Sequence, residues 1–218
     1  MLAGIVGRDA ELEAIDHFFD QVGEGPTGLL LEGVAGIGKS TLWLAAASEA
    51  RRRGFRVLSC RPVASEAQLS YAGLADLLVE VDDEILAELP EPQGLGLQVA
   101  LLRRTPASGA TDQRVVGTAL LTVLGKLADK RPVLLAVDDL QWLDGPSLQV
   151  VQFAARRLRG SVGLVLSVRT EAGTQASVPR LPDSSQLRSL RIGPLGSSAL
   201  HRLLKERTGR AYTRPALL

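Results

Sequence analysis

Apolar positions along this chain follow two different rhythms. Leu12, Ile15, Phe18, Phe19 and Val22 recur at helical spacing, and Gly23-Glu24-Gly25-Pro26 stops the helix they predict over residues 9–22. The same period predicts helices over Lys39 to about Arg53, Tyr71–Val81, Gln113–Lys130 and Pro146–Arg159. Short unbroken apolar runs lie between them, at Thr27–Glu32, Arg56–Cys60, Pro132–Asp138 and Val162–Val168. Runs of that kind mark strands covered on both faces. Leu187–Ile192 reads as a last strand and Ser197–Thr208 as a last helix. Glu88–Thr111 is rich in proline and glycine and gives no clear element, and polar Glu171–Ser185, with two prolines, reads as a loop.

Strand and helix alternate, which predicts an α/β fold: a parallel sheet with helices on both faces, in three layers. The 218 residues carry a net charge of +1, from 25 basic and 24 acidic side chains. No strong field therefore draws nucleic acid to the surface. The lone cysteine, Cys60, excludes an internal disulfide and is expected as a buried, inert thiol. No apolar run approaches the roughly eighteen residues that span a bilayer, and Met1-Leu2-Ala3-Gly4 lacks the regions of a signal peptide. A cytoplasmic setting without membrane contact is the expectation. His17 and His201 stand apart from other metal-binding side chains, so no zinc site is expected.

Gly33-Val34-Ala35-Gly36-Ile37-Gly38-Lys39-Ser40 fits the phosphate-loop pattern, between a strand and a helix as that pattern requires. Glycines let consecutive backbone N–H groups turn inward toward phosphate oxygens. The helix opened by Lys39, Ser40 and Thr41 adds the positive end of its dipole. Lys39 is expected on the β- and γ-phosphates, and the Ser40 hydroxyl on Mg²⁺.

Val133–Val137 followed by Asp138 and Asp139 has the form of a Walker B strand. A carboxylate leaving the carboxyl end of such a strand meets bound phosphates. Asp138 is the expected Mg²⁺ ligand, and Asp139 is placed to orient or deprotonate an attacking water. Alone the pattern is weak, but here it lies roughly 100 residues beyond a phosphate loop. That distance leaves room for a strand between the two motif strands, predicting the sheet order 5-1-4-3-2. A third strand ends in Ser167-Val168-Arg169, with Arg169 placed either to touch a γ-phosphate or to make a salt bridge at the strand end.

These motifs, with Asp138-Asp139-Leu140-Gln141-Trp142-Leu143-Asp144, resemble the STAND class of P-loop NTPases. More narrowly, they resemble the NTPase module of large ATP-binding LuxR-type bacterial transcription regulators. Val6-Gly7-Arg8-Asp9-Ala10-Glu11-Leu12 is similar to that group's G-R-E-x-E-L opening motif, with Asp9 in place of the usual Glu. The resemblance implies that Val6, Gly7 and Arg8 pack on adenine. It also implies that Ile192-Gly193-Pro194-Leu195 leads into a helical lid, with Pro194 beside the nucleotide. The expected organisation is an NTPase domain over residues 1–193 and the truncated start of a lid over 194–218. In that family the lid leads into helical-repeat and helix-turn-helix DNA-binding regions. The chain ends at Arg214-Pro215-Ala216-Leu217-Leu218, so no nucleic-acid binding is carried over to these residues.

The expected function is an ATP- and Mg²⁺-binding switch, exchanging ATP and ADP, with slow hydrolysis and nucleotide-dependent self-association. One alternative is a ring-forming AAA+ ATPase using Arg156, Arg157 or Arg159 as a finger in the neighbour's site. The other is a scaffold that has lost nucleotide with its lid. Trp43 is expected in the core, Trp142 either packed under its loop or against a lid or partner, and Asp144 as a cap on the helix at Pro146. Arg51, Arg52, Arg53 and Arg56 are expected to offset a helix dipole on a solvated face.

Overall fold

The computed structural model describes residues 5–105, 112–170, 178–183 and 186–208. Helix α1 spans Asp9–Val22, strand β1 Thr27–Gly33, α2 Lys39–Arg52 and β2 Arg56–Cys60. Three helices follow: α3 at Ala72–Leu78, α4 at Asp83–Ala87 and α5 at Glu91–Ala100. Then come α6 at Gln113–Ala128, β3 at Val133–Val137, α7 at Gly145–Ala155 and β4 at Val162–Arg169. Strand β5 at Leu187–Arg191 and α8 at Ser197–Thr208 complete the described elements.

The five strands form one sheet in the order β2-β3-β4-β1-β5, and every neighbouring pair is parallel. Read from the other edge, this is the expected 5-1-4-3-2 order. Strand side chains alternate cleanly between two cores, as the period of two demands. Leu29, Leu31, Leu134, Ala136 and Val165 face α1 and α2, where they meet Ile15, Phe18, Leu42 and Trp43. Leu30, Leu58, Leu135, Val137, Leu164 and Leu166 face the opposite layer, with Leu74, Leu120, Leu124, Val150 and Val151. Covering both faces is why β1, β3 and β4 in the centre, and β2 at one edge, read as unbroken apolar runs.

Several helix ends differ from the sequence expectation. The helix predicted over Tyr71–Val81 is the shorter α3: Tyr71, with a left-handed backbone, φ 65°, is its N-cap, and past Leu78 the chain continues in turns closed by the Val79 N–H on the Asp76 carbonyl and the Val81 N–H on the Leu78 carbonyl. α7 stops at Ala155, short of the predicted Arg159. The stretch that gave no element contains α4 and α5; α5 carries glycines and a first-turn proline, and buries Leu97 and Ala100. The predicted loop over Glu171–Ser185 lies largely outside the described residues.

Two acids organise helix contacts. Asp144 caps α7 by accepting from the Ser147 N–H at 2.9 Å. It also accepts from the N–H groups of Tyr71 and Gly73 at 2.8 and 3.0 Å, so one buried carboxylate fixes the starts of α3 and α7 together. Glu49 of α2 accepts from Arg52 and Arg53, and Arg53 reaches on to Asp16 and Asp20 of α1. The arginine cluster at the end of α2 thus clamps α1 to α2 as well as facing a helix C-terminus. Hydrogen bonds from Arg52, then those from Arg53 and both positive charges, outweigh burial and hold the Glu49 carboxyl at about 2.

That depression has a defined sign. The stabilisation is complete above the ordinary pKa of 4.5 and is lost as pH falls from there toward about 2. Glu49→Gln is expected to cost about 1–3 kcal/mol at pH 7, discounted for the solvent exposure of Arg52. Urea denaturation at pH 7 and pH 3 checks this: the difference from wild type should shrink at the lower pH.

Cys60 is 3% exposed, and burial together with nearby carboxylates pushes its thiol pKa up, as expected of an inert thiol. Trp43 is 2% exposed, in the core. His17 is exposed and His201 half-buried. Among the described residues no helix is long and apolar enough to cross a membrane.

Candidate functional site

The site lies along the carboxyl ends of β1, β3 and β4, where parallel sheets of this kind place ligands. β1 ends at Gly33, and residues 34–38 turn into α2. Gly36 and Gly38 have φ of +75° and +108°, conformations that L side chains rarely adopt. Gly38 is the N-cap of α2, so the N–H groups of Lys39, Ser40 and Thr41 belong to its first turn and lack intrahelical partners. Val34, Ala35 and Gly36 are exposed at the tip of the loop, and Ile37 is half-buried.

Lys39 is only 5% exposed. Its Nζ donates to the carbonyls of Gly33 at 2.9 Å and Val34 at 3.0 Å. Burial lowers its pKa; Asp139 and Asp138 oppose that shift, and Arg169 adds to it. Lys39, Asp138, Asp139 and Arg169 therefore share one electrostatic neighbourhood.

Asp138 is 2% exposed, just beyond β3. Its Oδ1 accepts from the Ser167 hydroxyl at 2.5 Å, and its Oδ2 lies 3.5 Å from Arg61 Nε. The Ser167 oxygen in turn accepts from the Asp139 N–H at 2.8 Å. Asp139 takes a left-handed backbone, φ 49° and ψ 54°, and its side chain has different partners from that of Asp138. Its Oδ1 accepts from Gln141 Nε2 at 2.9 Å and lies 3.4 Å from Arg169 Nε. Gln141 closes the circuit by accepting from the Arg169 N–H at 3.2 Å. The Arg169 guanidinium stands 5.8 Å from the centre of the half-buried Trp142 ring. Arg169 thus makes a strand-end ion pair with Asp139, one of the two placements open to it from the sequence.

A second region adjoins the loop. Arg8 is 6% exposed and donates to the Ile37 and Gly193 carbonyls and to Glu11, each at 2.8 Å. One guanidinium thereby joins the phosphate loop, α1 and the segment leading into α8. A cavity of about 310 Å³ opens here, walled by Val6, Arg8, the 36–38 backbone, Thr41, Leu195 and Leu203. Gly7, at φ +71°, is pressed against Ala199 of α8, so α8 forms one wall because residue 7 has no Cβ. Pro194 is exposed and is not among the lining residues; its neighbour Leu195 is.

The sequence assigned no role to Ser167, Gln141 or Arg61. Ser167 shows only as a hydroxyl inside the otherwise apolar β4 run, Gln141 lies within the Asp138–Asp144 motif, and Arg61 carries no signal. The donor chemistry suits Mg²⁺: a serine hydroxyl at a helix start and a buried carboxylate are hard oxygen ligands. Among the described residues no cluster of three or more His, Cys, Asp or Glu side chains is suited to a metal. Mg²⁺ that arrives with a triphosphate requires no such cage.

No curated protein matches the chain. Among solved structures, it is similar to the Orc1 protein of Aeropyrum pernix in complex with DNA, with a TM-score of 0.57 at 20% identity, over 96% of this chain and 51% of that one. It is similar to AMPPCP-bound DnaA from Aquifex aeolicus, with a TM-score of 0.53 at 15% identity, over 97% of this chain and 54% of that one. A chain of the E. coli MS115-1 HORMA:CdnC:Trip13 complex matches with a TM-score of 0.54 at 13% identity, over 98% of this chain and 72% of that one. At such identities the likeness shows a shared P-loop α/β fold, and the chain spans about half the length of the Orc1 and DnaA chains. The profile of the AAA ATPase domain family matches residues 4–167, three quarters of the sequence including every motif up to Ser167, and the chain belongs to that family.

Proposed function

We propose that this chain is an ATP- and Mg²⁺-binding switch module with slow ATP hydrolysis, of the kind carried by LuxR-type bacterial transcription regulators. The observation that carries this reading is the convergence of Lys39, Asp138, Asp139 and Arg169 at one end of the sheet, beside the glycine loop that opens α2. The cytoplasm is its setting, and helical-repeat and DNA-binding regions are its proposed downstream partners.

In this reading the first-turn amides of α2 and the Lys39 ammonium hold the β- and γ-phosphates. Lys39 moves to them from the Gly33 and Val34 carbonyls, exchanging two neutral acceptors for charged ones. Ser40 and Asp138 hold Mg²⁺, which neutralises charge on the phosphate oxygens. Ser167 keeps the Asp138 carboxylate in place. Asp139 orients water, and its ion pair with Arg169 ties that duty to the arginine's position. The cavity between Val6, Thr41 and Leu195 receives the base, with Arg8 linking phosphate loop to lid. Residues 1–193 form the NTPase domain and 194–218 the start of the lid, so nucleotide held between them alters how α8 packs.

Arg156 and Arg157, proposed fingers of a ring ATPase, donate to the Gln152 and Phe153 carbonyls of their own helix. They lie where α7 ends, before β4 begins, at the end of the sheet opposite the phosphate loop. Sedimentation velocity with Mg-ATP and Mg-ADP, beside a phosphate-release assay, tests the switch. Turnover slower than about 1 s⁻¹ without closed hexamers is expected. Nucleotide-dependent hexamers with faster turnover would establish the ring instead.

A further inference from the structure

Arg61 stands at the edge of the site. Cys60 and Val137 are direct partners in the β2–β3 ladder, and the Asp138 N–H continues it to the Cys60 carbonyl at 3.1 Å. The next residue of each strand, Arg61 and Asp138, therefore emerge side by side at the carboxyl end of the sheet. The two side chains differ sharply in exposure, 58% for Arg61 and 3% for Asp138. Asp138 is thus a fixed, buried carboxylate, while its cationic partner is largely exposed. Ser167 occupies Oδ1 at 2.5 Å, which leaves Oδ2 as the oxygen that faces Arg61 at 3.5 Å. On its other side the guanidinium lies 5.9 Å from the centre of the Trp43 ring, three positions after Ser40 in α2. Arg61 therefore rests between the helix that follows the phosphate loop and the Walker B acid.

We infer that Arg61 is a displaceable counter-ion for Asp138, which competes with Mg²⁺ for the Oδ2 side of that carboxylate and so sets the Mg²⁺ concentration at which the site fills. This rests on the proposed function, in which Asp138 holds the metal. A buried carboxylate is costly without a compensating charge. Arg61 supplies that charge before metal arrives. A divalent ion and a guanidinium repel each other at such range, so Mg²⁺ entry requires Arg61 to leave Oδ2. Its exposure lets it do so without disturbing the core. Ser167, buried and already donating to Oδ1, keeps the carboxylate aimed throughout the exchange.

Anisotropy of a fluorescent ATP analogue, titrated with Mg²⁺ at fixed nucleotide in the full chain, tests this without relying on turnover. Arg61→Gln is expected to lower the half-saturating Mg²⁺ about five-fold, the worth of a partly exposed ion pair. Arg61→Lys, which keeps the charge, is expected to stay near wild type. Arg131→Gln, the same change of charge at an exposed position just before β3, at the opposite end of the sheet, is expected to leave the midpoint unchanged and so controls for net charge. A midpoint that Arg61→Gln leaves unmoved or raises overturns the inference while the nucleotide site stands. Failure of wild type to show any Mg²⁺-dependent binding overturns both this inference and the function on which it rests.

Discussion

Alanine in place of Lys39 is expected to reduce Mg-ATP affinity at least about 100-fold while leaving the fold intact. The affinity is lost because the ammonium is the buried cation placed to leave backbone carbonyls for phosphate oxygens. The fold survives because those carbonyls have other recourse. Gly33 O also accepts from the Thr170 N–H at 3.1 Å, and Val34 lies in the exposed tip of the loop. Anisotropy of a fluorescent ATP analogue and a thermal melt, run side by side, check the two halves. A variant that binds as wild type does would remove Lys39 from the phosphate site.

Arg8→Ala is expected to cost about 2–4 kcal/mol of stability, the largest loss among the variants considered. Its guanidinium is almost wholly buried, and its removal strips partners from Ile37 O, Gly193 O and Glu11 at once. It also frees the phosphate loop from the segment that leads into α8, so nucleotide affinity is expected to fall along with stability. Arg8→Lys keeps the charge but has no planar fork to span these acceptors, and is expected to fall between wild type and alanine. Urea denaturation measures the stability loss. A loss below about 0.5 kcal/mol would show that the three contacts act separately and that Arg8 does not bind the regions together.

Much of the fold was legible because its signals are local. α1 follows from one apolar stripe and a glycine-proline stop. The central strands follow from runs that need apolar neighbours on both faces. α5 was hidden because Glu91-Pro92-Gln93-Gly94-Leu95-Gly96 opposes helix by propensity, and the helix forms through packing on α6. The start of α3 is fixed by Asp144, 73 positions away from Tyr71, which collects the N–H groups of Tyr71 and Gly73. The cap that Asp144 places on α7 could be read from neighbours in sequence; its hold on α3 could not.

The site divides in the same way. Lys39, Ser40, Asp138 and Asp139 lie in contiguous motifs, and a strand end advertised Arg169. What those side chains touch depends on register between strands. The pairing of Val137 with Leu166 brings Asp138 beside Ser167, and the pairing of Cys60 with Val137 brings it beside Arg61. Gln141 joins Asp139 to β4 through a loop that starts at the left-handed backbone of residue 139. The target of Arg8, on a segment 185 positions away, was likewise beyond a local reading.

The central claim is that the amides of the loop, Lys39 and Asp138 form a working site for Mg-ATP. Calorimetric titration of Mg-ATP, with Mg-GTP beside it, into the wild-type chain tests it most directly. Saturable binding of Mg-ATP at one site per chain, tighter than that of Mg-GTP, is the predicted result. A well-folded chain that takes up neither nucleotide would contradict the claim and leave a P-loop fold without a working switch.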